Sequence, residues 1–195
     1  MVDLKEQLAE SIRVKSALLA DAERMADVVR AAQLCVTSLR GDGRVLVAGN
    51  GGSAADAQHF AGELVSRFYF DRPALASIAL STDTSILTAI GNDYGYELVF
   101  SRQIEANGRA GDVFVAISTS GNSPNILRAI EAAKARGLVV VGLTGETGGK
   151  MASLCDVCLR APSTSTPRIQ ECHLVMEHFI CAYIEDAIFG EQRPS

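Results

Sequence analysis

Over the first forty positions apolar residues recur at helical spacing, as in Leu4, Leu8 and Ile12 and again in Val28, Ala32, Cys35 and Val36. Such spacing puts them on one face of a helix. No proline or glycine interrupts residues 3–39, so this stretch reads as one long helix or two helices end to end. Gly41-Asp42-Gly43 then breaks the pattern. Beyond it, short apolar runs alternate with amphipathic segments. The runs predict strands over Arg44–Ala48, Ser77–Leu80, Val113–Ile117, Val139–Leu143 and Val157–Leu159. Helices are expected over 53–68, 84–91, 95–107, 124–136 and 148–153, and a last one over Arg168–Ile188. Strands separated by helices build βαβ units, so the fold class is α/β, with a mostly parallel sheet covered on both faces.

With 195 residues and no internal repeat or low-complexity segment, the chain is expected to form one domain. Its parts are an N-terminal helical segment over 1–40, an α/β core over 44–160 and a C-terminal helix over 168–190. A formal charge of -5 with no Lys/Arg cluster argues against nucleic acid as a partner, since a phosphate backbone needs a basic footprint. No apolar run approaches membrane-spanning length, and Met1-Val2-Asp3-Leu4-Lys5-Glu6 lacks the core of a signal peptide, so a cytoplasmic protein with no membrane partner is expected. The five cysteines include Cys155-Asp156-Val157-Cys158, which has redox or zinc spacing but no second pair. It lies in Leu154–Leu159, which reads as a late strand, and buried free thiols are the expectation.

Two loops carry the chemistry. Gly49-Asn50-Gly51-Gly52-Ser53-Ala54 follows the first strand and opens a helix bearing His59 and Glu63. A glycine turn at a helix N-terminus suits an anion, and residues at i and i+4 share a helix face. Gly49-x-Gly51-x-x-Ala54 also matches a dinucleotide fingerprint, which needs an acid about 20 residues on. Here Asp83 stands well beyond that distance, and a dinucleotide has no use for the His and Glu, so no nucleotide cofactor is expected. The second loop, Ser118-Thr119-Ser120-Gly121-Asn122-Ser123-Pro124-Asn125, follows the third strand, with Ser123 as a helix N-cap and Pro124 in the first turn. It holds four hydroxyls and no lysine, an anion cradle that is not a nucleotide P-loop. On the last helix Gln170 and His178 lie two turns and about 80° apart, so they can line one wall of a pocket. His59, Glu63, Gln170 and His178 then comprise three good zinc ligand types and a weaker oxygen donor. Glu171 and His173 are set aside as bystanders, and Glu6, Glu10, Asp21 and Glu23 as a solvated acidic face.

On the motifs Gly49–Ala54, Asp56-Ala57-Gln58-His59-Phe60, Ser118–Ser123 and Arg168-Ile169-Gln170-Glu171 the chain resembles the sugar isomerase (SIS) domain family across nearly its whole length. Within that family it is most similar to the branch that interconverts sedoheptulose 7-phosphate and D-glycero-D-manno-heptose 7-phosphate through an enediol. The resemblance implies a five-stranded parallel sheet in a three-layer flavodoxin- or Rossmann-like sandwich, assembled as a homotetramer with active sites at subunit contacts. It further implies that Asn50, Gly51, Gly52, Ser53, Glu63, Asn92, Asp93 and Gln170 contact the sugar. Ser118, Thr119, Ser120 and Ser123 would hold the phosphate. Glu63 and His178 would be the acid/base pair, and His59, Glu63, Gln170 and His178 would bind one zinc per subunit. Some members place an aspartate where Pro167 stands here, so any role of that carboxylate is absent or served otherwise. The implied product feeds activated heptose for lipopolysaccharide or related glycans. The family also includes a non-catalytic tetramer that binds the replication initiator protein and shares both loops; Glu63 and His178 favour the enzyme. An isomerase for another sugar phosphate is a further alternative.

Overall fold

In the computed structural model, which describes residues 2–193, five short strands with almost wholly buried side chains pair in parallel. They are β1 (Val45–Ala48), β2 (Ser77–Ala79), β3 (Val113–Ile117), β4 (Val139–Thr144) and β5 (Val157–Arg160). Their order is β2-β1-β3-β4-β5, with Val45 opposite Ser77 on one side and Val113 on the other. The order reverses between β1 and β3, and in such sheets ligands bind beyond the carboxyl ends of the strands at that switch. Both anion loops leave the sheet there.

Alternate residues of each strand feed two cores. Val45, Val47, Val113, Val115, Val141 and Leu143 face the helices α2 (Ala22–Arg40), α3 (Gly52–Val65) and α7 (Thr166–Phe189). Leu46, Ala48, Phe114, Ala116 and Val140 face α5 (Ser101–Asn107) and α6 (Pro124–Ala135). The remaining helices are α1 (Leu4–Ala20) and α4 (Thr84–Asp93). Of the two readings of the N-terminal segment, two helices is the observed one. Asp21, read as part of a solvated face, is the N-cap of α2: it adopts an extended conformation and its carboxylate accepts from Arg24 N at 3.0 Å.

Three expected helices are shorter or tighter. The stretch 95–107 divides at Gly95 (φ 92°) into a 3-10 turn over Tyr96–Leu98 and then α5. Residues 149–153 form a 3-10 turn, so Cys155 lies in a bend before β5 and not within a strand. Helix α3 stops at Val65, three residues early, because a buried ion pair takes over its end. Arg72 Nε donates to Glu185 Oε1 at 3.1 Å with both side chains wholly buried. The same guanidinium donates to the carbonyls of Glu63 (2.9 Å) and Leu64 (2.8 Å), two of the acceptors a helix C-terminus leaves unpaired. Glu185 in turn accepts from Phe68 N and Tyr69 N at 2.8 and 2.6 Å, turning the chain off the helix axis. Burial alone would raise the Glu185 carboxyl, but those N–H donors and Arg72 outweigh it and hold it below its usual range.

On α7 the stripe Ile169, Cys172, His173, Met176, Glu177, Ile180, Cys181, Ile184 and Glu185 is buried. His173 Nε2 lies 3.1 Å from the carbonyl of Thr144, which fixes the proton on that nitrogen, and its Nδ1 is unpaired. Burial outweighs the Thr144 bond and pushes the imidazole down to about 4.

Two outcomes are expected. Arg72→Met leaves the Glu185 carboxylate buried without its cation and should cost about 3–5 kcal/mol in denaturant unfolding; a loss under about 1 kcal/mol would show the pair to be dispensable. His173, with a folded pKa below its unfolded one, binds its proton in the unfolded chain first, so stability falls as pH drops from about 6.5 toward 4. His173→Gln should therefore be less damaging at pH 5 than at pH 7, by roughly 2 kcal/mol. A pH-independent difference between the two proteins would refute this.

Candidate active site

Helices α3 and α7 run parallel and touch at three levels. At the first, the Gln170 side chain lies on Gly52, where any β-carbon would collide with the carboxamide. Two turns on, His59 Nε2 and His178 Nε2 are 2.8 Å apart. At the far end Glu185 holds the chain leaving α3. From Gly52 to His59 and from Gln170 to His178 the helices rise about 10 and 12 Å, so the levels stay in step.

At the middle level Glu63 Oε1 lies 3.6 Å from His59 Nε2, and its other oxygen has no hydrogen bond among the described residues. The His59 side chain is 41% exposed and that of Glu63 24%, so the cluster opens to solvent on one side. Phe68 closes another, its ring 5.6 Å from that of His178. Behind the cluster Glu177 is wholly buried with neither oxygen paired. Burial first, and then the charge of Asp56, push its carboxyl up to about 8, so at neutral pH it stays protonated. Asp56 is itself raised by burial, offset in part by His59.

The glycine loop is built for close approach. Gly51 has φ 57° and ψ -120°, a conformation that a residue with a side chain rarely adopts, and the helix begins there with Ser53 N donating to Asn50 O. The N–H groups of Gly51 and Gly52 have no partner among the described residues. In the second loop Ser123 is the N-cap of α6 by backbone conformation, yet its hydroxyl does not cap the helix. It lies 2.9 Å from Ser118 Oγ, and Ser120 Oγ lies 3.5 Å from the same atom. Three hydroxyls thus meet in front of an uncapped helix N-terminus, an arrangement suited to an oxyanion.

Asn125, the last residue of the second loop and one with no expected role, joins the two loops. Its amide and that of Asn50 exchange hydrogen bonds at 2.9 and 2.8 Å, and Asn125 is buried. Tyr96 also donates to Asn50 Oδ1 at 3.0 Å. An asparagine just inside a helix is an ordinary sequence feature, and only the pairing of two separated loops gives it weight. The structure therefore gathers Asn50, Gly51, Gly52, Ser53, Gln170, Ser118, Thr119, Ser120 and Ser123 along one edge of the sheet, with His59, Glu63 and His178 on the helices that leave it. Asn92 and Asp93 make no side-chain hydrogen bond to these residues. They are exposed at the end of α4 and hydrogen-bonded to each other, not to the rest of the site. Glu171 is occupied by Lys15, Ser11 and Arg168.

Two imidazole nitrogens and a carboxylate facing one point are the donor types zinc takes, and Gln170 adds an oxygen on the same wall. Nitrogens on one tetrahedral zinc would stand roughly 3.4 Å apart, so the 2.8 Å His59–His178 contact must open slightly to admit the ion. Among the described residues no group of three or more His, Cys, Asp or Glu is already spread as a metal cage. The donor set fits; the spacing is that of a closed pair.

The SIS domain family model matches residues 9–145. The phosphoheptose isomerase of Aneurinibacillus thermoaerophilus is 60% identical over 95% of this chain and 94% of its own. That of Burkholderia pseudomallei strain 1710b is 58% identical over 97% and 96%. The structure of phosphoheptose isomerase GmhA from Neisseria gonorrhoeae superposes with a TM-score of 0.88 at 48% identity, covering 94% of this chain and 97% of that one. With that share of the chain matched and such similarity from end to end, the chain belongs to the SIS domain family.

Proposed function

We propose that this chain is a sugar-phosphate isomerase that converts sedoheptulose 7-phosphate into D-glycero-D-manno-heptose 7-phosphate. The observation that carries the reading is the meeting of Glu63, His59 and His178 beside two anion loops at the switch point of the sheet. The phosphate rests on Ser118, Thr119, Ser120 and Ser123 and on the N-terminus of α6. The sugar chain extends past Asn50, Gly51, Gly52, Ser53 and Gln170 toward the helix pair. Glu63 removes the C1 proton of the ketose and returns it at C2, passing through an enediol. His178 moves the proton between the two oxygens, so the net change is one hydrogen shifted from carbon to carbon and one from oxygen to oxygen. Zinc held by His59, Glu63, Gln170 and His178 would supply a Lewis acid for the reacting carbonyl.

The active unit is proposed to be a homotetramer with sites at subunit contacts. Support comes from the side chains of Asn92 and Asp93, which within one chain bond to each other and to no other site residue, and from apolar side chains exposed on two helices. Leu4, Leu8, Ile12, Leu19, Leu174, Val175 and Phe179 are exposed on α1 and α7, and a cavity of about 350 Å³ lined by Leu18, Met25, Val29, Val175 and Phe179 opens between α1, α2 and α7. A second copy of the chain is the occupant that such a face fits. The described residues include no helix long and apolar enough to cross a membrane. We place the protein in the cytoplasm, where its product would serve heptose activation for lipopolysaccharide or a related glycan.

Incubating purified protein with sedoheptulose 7-phosphate should yield the aldose, with less after chelator treatment and recovery when zinc is restored. No aldose under any condition would end the isomerase reading, and chelator-insensitive turnover the zinc one. Glu63→Gln should lower kcat by about 10²-fold or more, and near-normal turnover would show that the base lies elsewhere. In solution the mass should be that of four chains; a monomer with full activity would remove the shared site.

A further inference from the structure

Cys155 and Cys158 take no part in the isomerase site, yet they are placed together. Cys158 on β5 pairs with Gly142 on β4. The absence of a side chain at Gly142 leaves a hollow on that face, and both sulfurs occupy it. A β-carbon at Gly142 would lie 2.7 Å from Cys155 Sγ and 3.5 Å from Cys158 Sγ. Both residues are half-buried, whereas Cys35, Cys172 and Cys181 are buried. Burial pushes the Cys35 thiol up to about 12 and raises those of Cys172 and Cys181. The Cys158 thiol alone is lowered, first by the hydrogen bond it receives from Cys155 and then by Arg160, against the opposing effects of burial and Asp27. Of the five, it is the sulfur set to react as a thiolate.

The pair also touches the phosphate-binding edge through one turn of chain. Cys155 N donates to Met151 O at 3.2 Å, and Met151 N donates to Gly121 O at 3.1 Å. Lys150 N donates to Asn122 Oδ1 at 3.1 Å. At Gly149 a β-carbon would lie 2.7 Å from Gly121 O, so the turn over 149–153 and the serine loop are in close backbone contact.

We propose that Cys155 and Cys158 form an oxidant-responsive dithiol whose disulfide disturbs the serine loop. The oxidant is a low-molecular-weight disulfide. The Cys158 thiolate attacks one of its sulfurs and expels one thiol, leaving a mixed disulfide. The Cys155 thiol is raised while it donates to Cys158 and by burial; once Cys158 is in the mixed disulfide that donation ends, and Cys155 gives its proton to solvent, attacks Cys158 Sγ and expels the second. Two protein thiols lose two hydrogens and the small disulfide is reduced to two thiols. The new bond draws the sulfurs to about 2.0 Å, so Cys155 shifts toward β5 and takes with it the turn that seats Gly121. The effect on the loop rests on the isomerase reading; the bond itself does not.

Treating folded protein with oxidised glutathione should lower its mass by about 2 Da and its free thiols from five to three. Dithiothreitol should reverse both changes. Cys155→Ser and Cys158→Ser should each abolish the mass loss. The oxidised protein should show a KM for sedoheptulose 7-phosphate raised several-fold and restored on reduction, with Cys158→Ser insensitive to the oxidant and Cys155→Ser halted at the glutathione adduct. A stable glutathione adduct without ring closure, reaction of all five thiols, or a closed disulfide with unchanged KM would each overturn the proposal. The mass measurement requires no turnover, so its failure is distinct from failure of the isomerase reading.

Discussion

The buried pair Arg72–Glu185 sets the geometry on which the site depends. Helices α3 and α7 come from opposite ends of the core and have no local reason to run in step. Arg72 takes the carbonyls of Glu63 and Leu64, Glu185 takes the N–H groups that follow, and the ion pair joins the two sets. Two charges removed from water are costly, and only this number of hydrogen bonds makes the burial tolerable. What the arrangement provides is position. One partner binds the backbone of Glu63 itself and the other stands seven residues beyond His178, so the proposed acid/base side chains are registered from the same clamp.

From that clamp toward the sheet edge the contacts pass from sealed to open to solvent on one side. Glu185 is sealed, His59 and His178 meet at a half-open level, and Gln170 meets Gly52 where the loop begins. This gradient suits a site that must exchange a polar sugar while keeping its reacting groups fixed. Neither anion loop carries a lysine or arginine within it. A phosphate there would be held by hydroxyls, N–H groups and the α6 dipole, fixed donors that need not fold around the ligand. The reciprocal Asn50–Asn125 amide pair keeps the loops at one separation.

The sheet was legible because a parallel strand buried on both faces is written as a continuous apolar run, and each of the five runs became a strand to within a residue or two. The loops were legible because glycine and serine at strand ends have few other uses. Helix ends were less so: α3 is cut short by a residue nine positions beyond Glu63 and by another on the last helix, and propensity contains neither. Yet the stripe on α7 did carry a signal. His173, Glu177 and Glu185 fall at the three- and four-residue steps of Cys172, Met176, Ile180, Cys181 and Ile184, so periodicity alone puts them inside. A charged residue in step with an apolar stripe requires a buried partner or a shifted pKa. Arg72, flanked by Asp71 and Pro73 in a loop, gives no such mark.

The same reasoning separates what the loops do from what the helix pair does. Strand ends and helix N-termini can hold an anion in any sheet of this topology, so they define a ligand class and not a reaction. The reaction needs a base and a proton carrier at fixed separation, and the side chains proposed for these roles stand on two helices aligned by the Arg72–Glu185 pair. A change at Arg72 or Glu185 would thus strike the chemistry while leaving the loops able to bind. A change at Asn125 would do the reverse, loosening the two loops with the proposed acid/base pair still in register.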